Sequence, residues 1–187
     1  MKKIVFLFIT ILTLLALTGC GNDTTTPPKN NTTPPPAPTV TTLDMTPEVF
    51  QDRWNRTADI AQFPNVKMKE VPGTGGTDKT TYTFSKNNTI TVFVHKEQKK
   101  VDHLILKSNI YKVDEKESEV LGAVYYLVFS TVEPNLSEQE MDAGFDELMN
   151  AWEEGNDKTI TKGNTTFSQT VGLTGNLELV VKHKNNK

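Results

Sequence analysis

Three stretches of this chain carry side chains or spacings that could do chemistry. His95 and His103 fall on segments of alternating apolar and polar residues. A register pairing residues whose numbers sum to 198 would bring the two imidazoles face to face while aligning Val94 with Leu104 and Val92 with Leu106. Two imidazoles would still lack a third strong ligand, and a one-residue slip would send them to opposite faces of the sheet. They stand as weak metal candidates, with exposed strand histidines as the simpler reading. His183, near the C-terminus, has less in its favour. The second stretch, Val71-Pro72-Gly73-Thr74-Gly75-Gly76-Thr77-Asp78-Lys79-Thr80, superficially suggests a phosphate-binding loop. Such a loop follows a strand, opens a helix and sets its glycine directly before Lys-Ser/Thr, whereas this one follows a helical pattern and opens a strand pattern. A flexible connection, at most a mobile lip, is the reading that fits. The third, Glu153, Glu154, Asn156 and Asp157, lacks the alternation of an EF-hand and reads as a solvated helix end. There is no Gly-x-Ser-x-Gly and no His-Glu-x-x-His, and no cofactor signature stands out.

Cys20 is the only cysteine, so the chain can form no internal disulfide and its stability must come from a packed core. What precedes it explains its role. Lys2 and Lys3 give a positive start, and Ile4 to Leu17 form an apolar run too short for a confident bilayer span of about 20 residues. Leu17-Thr18-Gly19-Cys20 then resembles the lipobox of bacterial lipoproteins. The resemblance implies a signal peptide over 1–19, cleavage before Cys20, and diacylglycerol on its sulfur as the membrane partner. Two acyl chains anchor stably where one is marginal.

Residues 20–42 read as a tether: eight threonines and six prolines lie between Asn22 and Thr42, with scarcely an apolar side chain to bury. In polyproline II such a segment reaches roughly 65 Å. Loss of Lys2 and Lys3 with the leader takes the formal charge from −3 to −5. A mildly acidic chain gives no electrostatic footprint for nucleic acid or anionic lipid.

Residues 43–187 are expected to form one domain, large enough for a self-sufficient core. Thr46-Pro47-Glu48 signals a helix start, and Phe50, Trp54, Ala58 and Ala61 stripe one face before Pro64. Tyr82 and Phe84, then Ile90, Val92 and Val94, then Leu104 and Leu106 mark three strands of an antiparallel meander. Asp114 with Glu117 and Ser137 with Glu140 are capping-box patterns for a second and third helix. The second is apolar almost all round from Val120 to Val132, and the third carries Met141, Phe145, Leu148 and Trp152 along one side. Two strands follow, around Phe167 to Val171 and Leu177 to Val181, with room for a short one at Ile160. The expected fold is α+β, an antiparallel sheet of about five strands packed with three helices in the order α-β-β-β-α-α-β-β.

The buried helix followed by Val132-Glu133-Pro134-Asn135-Leu136-Ser137-Glu138, a helix and a terminal hairpin resembles a domain of small uncharacterised lipoproteins of Gram-positive bacteria. That resemblance implies fold and cell-surface address, with no catalytic residues to carry over. The functional expectation is a non-catalytic, membrane-anchored extracytoplasmic module that uses its sheet and helix-flanked edges to contact a protein, peptide or envelope component. Capture of a small ligand for a transporter, and an enzyme acting on envelope polymers, are the alternatives.

Overall fold

The computed structural model describes residues 41–109, 111 and 114–186. The leader, the lipobox residues Leu17, Thr18, Gly19 and Cys20, and the tether up to residue 40 lie outside the described residues.

Each helix begins where a side chain replaces a missing backbone partner. α1 (Pro47–Ile60) starts at Thr46, whose hydroxyl accepts from Val49 N at 3.4 Å. α2 (Glu115–Val132) starts at Asp114, whose Oδ1 accepts from Glu117 N at 2.9 Å. Only half of the expected capping box forms there, because the Glu117 carboxylate accepts from the Asn87 side chain instead of the cap backbone. α3 (Glu138–Glu153) has both halves: Ser137 N donates to Glu140 Oε2 at 2.9 Å, and Glu140 N donates to Ser137 Oγ at 3.3 Å.

Six strands form one antiparallel sheet: β1 (Lys79–Thr83), β2 (Thr89–His95), β3 (Lys100–Asn109), β4 (Lys158–Lys162), β5 (Thr165–Val171) and β6 (Asn176–His183), in the spatial order β1-β2-β3-β6-β5-β4. Each half of the sheet is a three-strand meander, and the two halves join through β3 and β6. The strand beyond the expected five is β4, an edge strand whose single apolar residue, Ile160, leaves almost no alternation to read.

The register of β2 and β3 differs from the one that would pair the histidines. Ile90 faces Leu106, Val92 faces Leu104 and Phe93 faces His103, after which the pairing shifts so that Val94 faces Val101 and His95 faces Lys100. The cause is a bulge that leaves Asp102 unpaired on β3. Val101 and Leu104 are both fully buried, and residues three apart can share one face of a strand only if an extra residue lies between them.

The inward face of the sheet carries Ile90, Val92, Leu104, Leu106, Phe167, Leu179 and Val181, all buried, and the helices pack on it in a single core. Trp54 fills the space under α1, stacked on Phe84 at 5.7 Å, with its indole N–H donating to Val66 O at 2.7 Å. Phe129 of α2 stacks on Phe167 of β5 at 4.2 Å. The buried Gln169 ties three elements together: it accepts from the Tyr125 hydroxyl at 2.7 Å and donates to Leu148 O at 3.2 Å. Trp152 is half-buried against the same core. The opposite face is half-exposed, with Thr81, Thr91, Ile105, Val180, Ser168 and Thr159 forming one cross-strand row.

Candidate functional site

A polar cleft of about 670 Å³ opens where the two ends of the fold meet. The entering chain forms one wall. Leu43 N donates to Val101 O and Val101 N donates to Met45 O, both at 2.9 Å, so this segment runs alongside the start of β3. Thr41 N donates to Asn186 Oδ1 at 3.2 Å, and the Asn186 amide donates back to Thr41 O. The packed structure therefore takes in Thr41 and Thr42, two residues inside the stretch expected to be tether; Thr42 is 4% exposed. His183, the last residue of β6, lies beside this wall.

The facing wall comes from the connection between α2 and α3, and from α1. The backbone leaves α2 at Val132 and passes Glu133, Pro134 and Asn135 before α3 begins. Glu133 Oε1 accepts from Asn164 N at 2.8 Å and from the Thr165 hydroxyl at 2.6 Å, which fixes the β4–β5 turn against the connection. Gly163 is what admits that carboxylate. Its φ is +57°, a conformation that favours glycine, and a Cβ there would stand 2.3 Å from Glu133 Oε2, so a larger residue would displace the carboxylate from the turn.

The charges of the cleft are unevenly matched. Lys100 pairs with Asp44, and the Asp44 carboxyl is held below the usual carboxylate range first by its hydrogen bond and charge contact with Lys100, with His183 adding a smaller contribution. Glu133 is occupied by the β4–β5 turn. Arg53, half-buried on α1, takes part in no ion pair or hydrogen bond among the described residues. The hydroxyl of Thr42 likewise has no hydrogen-bond partner among them. The guanidinium therefore brings five N–H donors and a fixed charge to a wall of neutral hydroxyls and amides, without a matching acceptor among the described residues.

The residues singled out in the sequence lie elsewhere, apart from His183. His95 and His103 are not cross-strand partners: His95 Nδ1 accepts from Gln98 N at 3.3 Å, whereas His103 stacks on Phe93 at 4.1 Å and meets Asp102 Oδ2 at 2.9 Å. They do not form a joint metal site, and no cluster of three metal-ligating side chains occurs among the described residues. The Gly-rich stretch is a connection between α1 and β1, as expected. Gly73 N donates to Thr80 Oγ1 at 2.8 Å, and the loop borders a smaller cleft of about 460 Å³ beside the N-terminus of α1. Asp157 accepts from Val171 N at 2.8 Å and Glu154 from Asn156 at 3.0 Å, which makes that acidic stretch part of the β4–β5 edge and the end of α3.

Sequence reasoning passed over Arg53, Glu133 and the cleft they line. One signal was available: Arg53 stands three residues after Phe50 and directly before Trp54, on the margin of the apolar stripe, where a charged side chain becomes half-buried. Compared with known proteins, the chain matches no family model, no curated protein and no solved structure.

Proposed function

We propose that this chain is a bacterial lipoprotein, cut before Cys20 and held by diacylglycerol on that cysteine at the extracytoplasmic face of a membrane, and that its α+β domain is a non-catalytic binding module. The observation that carries the binding reading is the cleft with its unmatched Arg53. It sits at the end of the sheet, flanked by α1 and the α2–α3 connection, so a protein, peptide or envelope component can reach it from outside. The carboxylates of the cleft favour binding over catalysis, because Asp44 is tied to Lys100 and Glu133 to the β4–β5 turn, and neither is poised as a proton donor. Capture of a small ligand for a transporter remains the second reading, with the ligand on the surface. The interior between sheet and helices is filled by Trp54, Phe50, Phe129 and Phe167.

Two measurements test this. Intact mass and membrane fractionation of the native protein beside Cys20→Ala should show diacylglycerol and membrane retention in the first and loss of both in the second. A photo-crosslinking residue at Asn135, on the exposed rim of the cleft, should yield one discrete adduct in intact cells. A soluble, unlipidated native protein sinks the anchor reading. Absence of any adduct at Asn135, when the same group at the exposed Leu173 gives equally little, sinks the binding reading.

A further inference from the structure

Arg53 and Arg56 are the only arginines in the chain, and they stand one turn apart on α1 in opposite circumstances. Arg56 is exposed and paired with Asp52 at 2.6 Å. Arg53 is half-buried in the cleft, with no partner among the described residues. A guanidinium keeps its charge at every accessible pH, and removing part of its hydration costs free energy until an anion supplies acceptors. The cleft around it is polar, with the hydroxyl of Thr42 and the side chains of Asn135 and Asn164 on its walls.

We propose that the cleft is a carboxylate-binding site in which Arg53 grips the carboxylate of the ligand through two parallel N–H···O bonds. This rests on reading the cleft as the ligand site of the module. Charge matching selects a carboxylate. Of the two fixed cations lining the cleft, Lys100 is paired with Asp44 and Arg53 has no partner among the described residues, so Arg53 is the one that calls for an anion. A phosphate dianion would bring a second negative charge close to Glu133 and Asp44, which line the same cleft. The planar fork of arginine also matches carboxylate geometry. The cleft volume, about 670 Å³, lies within the range that holds small molecules, so the carboxylate can belong to a free organic acid or to the C-terminus of a peptide.

With two arginines, labelling arginine side chains with nitrogen-15 gives two Nε resonances, one of them an internal control. The full chain in non-ionic detergent would be titrated with acetate, N-acetylalanine, N-acetyl-Ala-Ala, the amide of that dipeptide, and inorganic phosphate. The expected result is a saturable shift of the Arg53 resonance, with acetate binding in about the millimolar range, no shift of Arg56, and no response to the amide. Arg53→Met should weaken N-acetyl-Ala-Ala binding by about tenfold or more while leaving the backbone amide spectrum otherwise in place. N-acetyl-Ala-Ala binding more tightly than N-acetylalanine assigns the site to peptide termini, and the reverse order to small acids; either supports the proposal. Arg53 and Arg56 shifting together without saturation overturns it, as does phosphate binding more tightly than acetate or equal affinity in the Met variant. If these titrations fail while the Asn135 crosslink in cells persists, the carboxylate assignment falls and the binding module stands; if both fail, both fall.

Discussion

Arg53 and Trp54 are consecutive residues of α1, yet they belong to two regions built on opposite terms. Trp54 enters an interior where polar groups are matched locally: its indole N–H reaches Val66 O, and Gln169 answers both Tyr125 and Leu148. Arg53 enters a cleft where the acids already have internal partners and the guanidinium does not. A matched polar group holds the fold, while an unmatched one beside solvent is free to hold something else. The same helix thus presents a matched polar group to the interior along one edge and an unmatched one to the cleft along the next.

The contrast can be broken most forcefully at Trp54. Trp54→Ala should cost about 3–5 kcal/mol in urea unfolding, because it removes a fully buried ring that stacks on Phe84 and orphans Val66 O. A cost below about 1 kcal/mol would mean the interior is not the rigid half of the pair. Gln169→Leu should cost about 1–3 kcal/mol, since it leaves the buried Tyr125 hydroxyl without its partner and removes the side-chain bond to Leu148 O.

Alkaline pH probes the same interior. Burial raises the Tyr125 hydroxyl far above the ordinary tyrosine range; Tyr82 is raised too, chiefly by desolvation with a smaller push from Glu70. An acid whose pKa rises on folding holds its proton more tightly in the native state. The stabilisation is therefore complete below about pH 10, the unfolded tyrosine value, and is lost as pH climbs toward the folded values. The urea midpoint should fall steadily above about pH 10. Tyr125→Phe should flatten that decline, at the price of a lower midpoint near neutrality.

The cleft should respond weakly in stability and strongly in binding. Glu133→Ala removes two acceptor contacts at a half-exposed site and should cost about 1 kcal/mol. Arg53→Met should leave the unfolding free energy from urea titration within about 0.5 kcal/mol of the parent chain, because no described partner is orphaned. A large loss there would move Arg53 into the structural half of the comparison.

Much of this fold could be read from the sequence, because the signals are local. Thr46, Asp114 and Ser137 each cap a helix where residue type and spacing place a cap. The inward positions of β2, β3 and β6 follow from alternation. The β2–β3 register was not legible in the same way, since it depends on a bulge at Asp102, and a bulge is a compromise between two burial demands on different strands. Val101 and Leu104, apolar at odd spacing, are its one trace. β4 offered a single apolar residue. The cleft was hidden for a deeper reason: it gathers the entering segment, the α2–α3 connection, the β4–β5 turn and the last residue of β6, none of which is near the others in sequence. Arg53 showed its helix and its margin position, but what stands across from it is a property of the tertiary fold.

The Asn186 and Thr41 clasp has a mechanical consequence. Any pull on the chain ahead of Thr41 is met first by that clasp and then by the bonds of Leu43 and Met45 to Val101, which pass the load to the start of β3. These bonds fasten one wall of the cleft, so tension on the N-terminal side would act on that wall first. The shape of the cleft would then depend on the load carried by the entering chain, although the cleft itself is built from segments far apart in sequence.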